Sequence, residues 1–207
     1  SALMLLSIWA GLLVVVKVPM RHILYLILIF ALASGLAWQF VLEDYQKDRV
    51  ATFVDPTADP QGRGYNVIQS MVAVGSGGVW GHGLARGLQS QLKFLPERQT
   101  DFIFASTAEE LGLVGGSFVL LLFAVIVFRI LRIMRRCPDG FGRYLAAGAF
   151  FLFLTQVAVN VGMNLGLLPV TGITLPFMSY GGSSLVISLW LVGIVESVAV
   201  HSTPGRF

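Results

Sequence analysis

The chain has 207 residues, 56% of them hydrophobic and only 12% charged, with a formal net charge of +3 and a mean hydropathy of +0.78. That balance excludes an ordinary soluble domain. The basic residues are spread over loops with no aromatic-interleaved patch, so no nucleic-acid partner is expected. Cys137 is the single cysteine, which excludes a disulfide framework and a cysteine-built metal site.

A membrane-spanning helix needs ~20 mostly apolar residues to cross ~30 Å of hydrocarbon. In chain order, residues 2–16 form a short first candidate. No charged leader precedes it and no small-residue cleavage site follows, so it reads as a shortened span and not as a signal peptide. The chain is therefore expected to be a fragment of a longer protein. Residues 23–42 form the second span. A long outer segment, 43–110, comes next. It opens on a charged helix end, Glu43 to Arg49, and carries turn signals at Asp55-Pro56 and Asp59-Pro60. Gly64 to Val74 is apolar but only about half a membrane long, which predicts a re-entrant, interfacial or buried helix. Gly75 to Gly87 is glycine-dense, and Phe94-Leu95-Pro96 closes the loop. The remaining spans are 111–131, 144–168 and 184–200, with a second outer loop at 169–183. The expected fold is all-α: one polytopic integral membrane domain, 1–207, of about five transmembrane helices with a large structured extracytoplasmic loop.

Charge sets the orientation. Lys17 and Arg21 lie between the first two spans, Arg129, Arg132, Arg135, Arg136 and Arg143 crowd the turn between the third and fourth, and Arg206 follows the last. Short basic loops face the cytoplasm, which puts 43–110 and 169–183 outside. Nine of the eleven acids fall in 43–110, so polar function is concentrated on the outer face. Cys137, beside the arginines, reads as a reduced cytoplasmic thiol, with palmitoylation as the sharper alternative.

The charges at Glu97, Arg98, Asp101, Glu109 and Glu110 cluster where the chain returns to the bilayer, a costly placement that marks a candidate functional site. Two readings stay open for Asp101. It or Thr100 caps the following helix, with Ser106-x-x-Glu109 or Thr107-x-x-Glu110 as a capping box; or it is a catalytic carboxylate beside an apolar wall of Phe102 and Phe104, with Arg86, Lys93 and Arg98 as cations for an anionic substrate. Gln156, Asn160 and Asn164 recur every four residues and share one helix face, as expected for interhelical hydrogen bonds or for substrate contact. The glycine stretch lacks the spacing of a phosphate loop, and His82 has no second ligand at metal-binding spacing. Glu196 is the only acid inside a predicted span and lies near its cytoplasmic end. The uncharged loop from Leu168 to Ser184, rich in Pro and Gly, can hardly be a simple hairpin; it is expected to be buried in protein or to line a cavity.

At these residues the chain resembles the SEDS family (shape, elongation, division and sporulation). The resemblance rests on Asp44-Tyr45-Gln46 with Arg49, Gly64-Tyr65 with Gln69-Ser70, Gly75 to Gly78, Gly81 with Gly83, Leu95-Pro96-Glu97, Thr100 to Phe104, and Glu109 to Gly112. It continues through Asn160-Val161-Gly162, Leu168 to Gly172, Leu175-Pro176 and Ser179 to Ser184. It is nearest the rod-shape branch and covers nearly the whole chain. It implies the last five spans of a ten-span protein of the bacterial inner (cytoplasmic) membrane that polymerises lipid II into peptidoglycan strands during elongation. The implied reaction is inverting, with Asp101 as the catalytic carboxylate on the outer face. Substrate contacts are expected at Arg86, Lys93, Glu97, Arg98, Thr100, Gln69 and Ser179. A divalent metal, Mg or Mn, is a family-level expectation without a ligand cluster in this sequence. Expected partners are lipid II, a class B penicillin-binding protein and membrane lipids. The family pattern usually has His where this chain has Gln99. The alternatives are a flippase for the lipid-linked precursor and a non-catalytic scaffold for the penicillin-binding transpeptidase, and the fragment alone is expected to be inactive.

Overall fold

The computed structural model describes residues 2–16, 18–40, 52–53, 63–84, 86 and 99–202. Among them the regular structure is helical: α1 (Ala2–Val15), α2 (Met20–Phe40), α3 (Arg63–Ser76), α4 (Ile103–Arg136), α5 (Gly140–Asn164) and α6 (Gly182–His201). Each of the five apolar segments holds a helix, though 41–42 lie outside the described residues and the helix of 144–168 stops at Asn164. Helices α4, α5 and α6 are long and apolar enough to cross a membrane, while α1 and the apolar part of α2 are shorter.

Local chemistry sets several of the ends. Asp139 is the N-cap of α5, and its carboxylate accepts from Gly142 N at 2.9 Å. Asp–Gly-type N-caps satisfy one of the orphan amides that every helix start leaves. Arg143 closes the other side of the same turn, donating from Nε and a terminal nitrogen to Cys137 O at the end of α4 (3.3 and 3.0 Å). Cys137 itself is only 2% exposed, so a lipidating enzyme has no access to its thiol; the palmitoylation alternative gives way to a packed thiol.

Three cores hold the helices together. Ile130, Ala149, Phe153 and Val195 join α4, α5 and α6. Phe104, Phe123 and Leu175 form a second. Ala73, Phe102 and Ala105 form a third, between α3 and the start of α4. On α3 the buried positions recur every third residue, at Gly64, Val67, Ser70 and Ala73, and that small-residue face lies against α4 and α5. Small residues let helix backbones approach closely where lipid gives no hydrophobic drive. Gly11 plays the same part for α1, since a Cβ there would overlap the Phe151 ring of α5.

Helix α4 is folded sharply. Gly112, with φ 67° and ψ −165°, interrupts it. In a straight helix residues 104 and 116 would stand about 18 Å apart, and 108 and 116 about 12 Å. Here a Cβ on Gly116 would lie 3.7 Å from the Phe104 ring and 4.0 Å from the Ala108 Cβ. The short arm, 103–111, therefore folds back along the long arm, 113–136, with Gly112 at the apex. The second outer loop also dips inward. Leu175 and Pro176 are fully buried, and Phe177, in a left-handed conformation (φ 63°), stacks on Phe153 with ring centroids 5.7 Å apart. Irregular backbone at that depth is tolerated only when protein supplies its hydrogen bonds.

Candidate active site

The folded short arm delivers Thr100-Asp101 to the C-terminal end of α5, beside Ser70 and Ala73 of α3. The capping reading of Asp101 is corrected here. The N-cap of α4 is Phe102, whose own side chain makes no cap hydrogen bond. Ser106 and Thr107 lie inside the helix, where the Thr107 hydroxyl bonds back to Ile103 O at 2.8 Å.

The first turn is satisfied from sixty residues away. Ala105 N and Asp101 O are the donor and acceptor that a continuing helix would pair. The carboxamide of Asn164 sits between them: its Oδ1 accepts from Ala105 N at 3.0 Å, and its Nδ2 donates to Asp101 O at 3.1 Å. Asn160 donates to the same Asp101 carbonyl at 2.9 Å and to Ile173 O at 2.8 Å. Asn160 and Asn164 are also linked, Nδ2 of Asn164 to Asn160 O at 2.7 Å. Ser70 of α3 completes the knot by donating to Asn164 O at 2.9 Å. All three of these side chains are fully buried.

The neighbouring carbonyls are held as firmly. Ser179 Oγ donates to Thr100 O at 2.7 Å while accepting from Leu175 N at 2.7 Å. Tyr180 N donates to Gln99 O at 2.7 Å. Three consecutive carbonyls, of Gln99, Thr100 and Asp101, are thus pinned by four hydrogen bonds from α5 and the second outer loop. Asp101 itself is half-buried. A Cβ on Gly172 would lie 3.5 Å from Asp101 Oδ2, so the Gly172 turn forms one wall beside the carboxylate.

The other residues singled out by sequence fare differently. Thr100 and Ser179 join Asp101, with the Ser179 hydroxyl committed to holding the turn. Gln69 is half-buried on α3, one position before Ser70. Arg86 is exposed beyond the glycine-rich loop. Lys93, Glu97 and Arg98 lie outside the described residues. His82 is exposed, with Nδ1 3.3 Å from Glu109 O. Gln156 extends the asparagine face, but its Oε1 is buried with no hydrogen bond among the described residues. Glu196 is exposed on α6. Sequence reasoning placed the asparagines on one face but not their target, and it gave no role to Ser70, Gly112 or Gly172 outside the resemblance. The positive φ of Gly112 and Gly172, 67° in both, has no sequence signature inside an apolar run. Among the described residues no three His, Cys, Asp or Glu side chains converge.

The chain can now be set beside known proteins. The family of cell cycle proteins FtsW, RodA and SpoVE matches residues 1–204. Peptidoglycan glycosyltransferase MrdB of Escherichia coli (strain K12) is 50% identical over 164 residues, covering 79% of this chain and 44% of that protein. Stage V sporulation protein E of Bacillus subtilis (strain 168) is 46% identical over 169 residues, 82% of this chain and 46% of that protein. The chain thus spans about half the length of the curated relatives it matches. A solved structure of a peptidoglycan synthase complex, described as coordinating polymerization and crosslinking, superposes with a TM-score of 0.79 at 32% identity, covering 99% of this chain and 56% of that one. With the match running through the pinned Asp101 turn and both outer loops, this multi-pass membrane chain belongs to the FtsW/RodA/SpoVE family.

Proposed function

We propose that this chain carries the catalytic centre of a peptidoglycan glycosyltransferase that polymerises lipid II at the outer face of the bacterial cytoplasmic membrane, in company with a class B penicillin-binding protein. One observation supports the reading above the others: four hydrogen bonds are spent on the main chain of Gln99–Asp101, while the acid there stays half-exposed beside a glycine. A carboxylate held in that way is preorganised for proton transfer, which needs placement to within about 0.5 Å.

In this mechanism the Asp101 carboxylate takes the proton of the acceptor's sugar hydroxyl. The oxygen attacks the anomeric carbon of the donor, the new β-1,4 bond forms and the α-linked lipid diphosphate departs with the bonding pair. Configuration inverts, so one base suffices and no covalent enzyme intermediate is required. Arg86, Lys93 and Arg98 are the cations assigned to the diphosphate, Arg86 to its capture in the bound substrate and Lys93 and Arg98 to the charge that develops as it leaves. Thr100 and Ser179 hold the turn, and Gln69 and Glu97 remain assigned to substrate contact.

The test is glycan synthesis from purified lipid II by the intact protein with its transpeptidase partner, run beside precursor translocation in sealed vesicles. Polymer without translocation supports the transferase. Translocation without polymer would replace it with the flippase reading.

A further inference from the structure

The apex of α4 is interlocked with the glycine-rich loop that follows α3. In an unbroken helix Leu113 N would donate to Glu109 O, and Val114 N to Glu110 O. The loop takes over all four partners. Leu113 N donates to Gly78 O (2.9 Å) and Val114 N to Val79 O (3.2 Å), while Glu109 O accepts from His82 N (3.2 Å) and Glu110 O from Gly83 N (2.9 Å). Breaking the helix therefore leaves none of these groups unpaired, which explains how the break is tolerated. Gly112 and Gly81 make the approach possible. Both have positive φ, 67° and 75°. A Cβ on Gly112 would collide with Gly81 N, and one on Gly81 with the Glu110 carbonyl. Directly beyond the interlock Arg86 N donates to Gly83 O (3.1 Å), and the Arg86 side chain lies over Gly83, its Cδ 3.6 Å from where a Cβ would stand.

The short arm has Asp101 before one end and this socket at the other. It is a single helix of nine residues, about 14 Å long. The geometry points to a positioning device: the interlock registers Arg86 against Asp101 through a rigid arm, and Gly112 and Gly81 are positioning residues for capture of the lipid-linked diphosphate. This rests on the glycosyltransferase reading and adds how that site holds its cation. Loosening the socket leaves the Asp101 turn, with its own four hydrogen bonds, in place. It releases the base of the loop that presents Arg86.

The experiment measures steady-state polymerisation of lipid II by the intact protein in proteoliposomes, for wild type, Gly112→Ala, Arg86→Gln, the double variant, Gly116→Ala and Asp101→Asn. Gly116 has ordinary helical conformation and room for a Cβ, so Gly116→Ala controls for adding a methyl to α4 and should match wild type. Gly112→Ala should raise the KM for lipid II at least tenfold while changing kcat less than threefold. Arg86→Gln should do the same. The double variant should be no worse than the poorer single one, since both break one contact. A merely structural lesion lowers the active fraction, and so kcat, with KM unchanged. Should Gly112→Ala not accumulate, Gly83→Ala is read in the same way, because its strain falls on the loop alone. A wild-type KM in these glycine variants, or effects that multiply with those of Arg86→Gln, would overturn the inference. Full activity of Asp101→Asn would instead overturn the glycosyltransferase assignment of Asp101, which separates the two failures.

Discussion

Replacing Asn164 by alanine removes the carboxamide that joins α5, α3 and the Asp101 turn. Ala105 N, in a residue with no exposed surface, loses its acceptor, and an orphaned buried donor costs about 1–3 kcal/mol. Asp101 O and Asn160 O each lose one donor, with interhelical bonds in membranes averaging ~0.6 kcal/mol. The Ser70 hydroxyl keeps its bond to the Asn164 main chain, so no penalty is added there. The sum is roughly 2–4 kcal/mol against the closed turn, a shift of about 30- to 1,000-fold in its local equilibrium. Helix α5 itself is anchored elsewhere by Ala149 and Phe153, so the lesion stays local. We expect polymerisation of lipid II by the intact protein to fall at least tenfold, while membrane insertion and the monodisperse elution of the purified protein are kept. Asn160→Ala leaves Asn164 on the Asp101 carbonyl and should fall less. Activity of Asn164→Ala within twofold of wild type would refute the proposal that the amide holds the Asp101 turn for catalysis.

Ser179→Ala strips the acceptor from the buried Leu175 N and the donor from Thr100 O; a loss of about 1–3 kcal/mol should appear as a lower thermal midpoint of the purified protein. Gly172→Val combines a φ of +67° with a branched side chain against Asp101 Oδ2. It should depress polymerisation more strongly than Gly148→Ala, whose Cβ meets nothing within 4 Å. Asp139→Ala removes the N-cap of α5, at about 0.5–2 kcal/mol, and should lower thermal stability while leaving polymerisation at 25 °C unchanged.

The helices were legible because apolar runs bounded by charge have few alternatives in a bilayer. The short α3 could be read from the same length argument, and the four-residue spacing of Gln156, Asn160 and Asn164 foretold a shared polar face. The fold-back of α4 was not legible. Leu111 to Leu131 reads as one continuous span, and nothing local distinguishes Gly112 from Gly115 or Gly116, both of which stay helical. Its break is enforced by the loop at 78–83, thirty residues earlier. The role of Asp101 was obscured for a related reason. An acid before a helix reads as its cap, but the first-turn amide of Ala105 is taken by Asn164 on another helix, and Asn160 and Asn164 both donate to the Asp101 carbonyl. Contacts between distant segments decide both features, and sequence periodicity carries no record of them.

The central claim is that Asp101 is the general base. Its most direct test is glycan-strand synthesis from purified lipid II by the intact protein with the proposed penicillin-binding partner, wild type against Asp101→Asn. Asparagine keeps the size of the side chain and leaves the main-chain carbonyl on Asn160 and Asn164, so the turn should persist. The account predicts loss of polymer with complex formation and stability intact. Polymer made at the wild-type rate would contradict it.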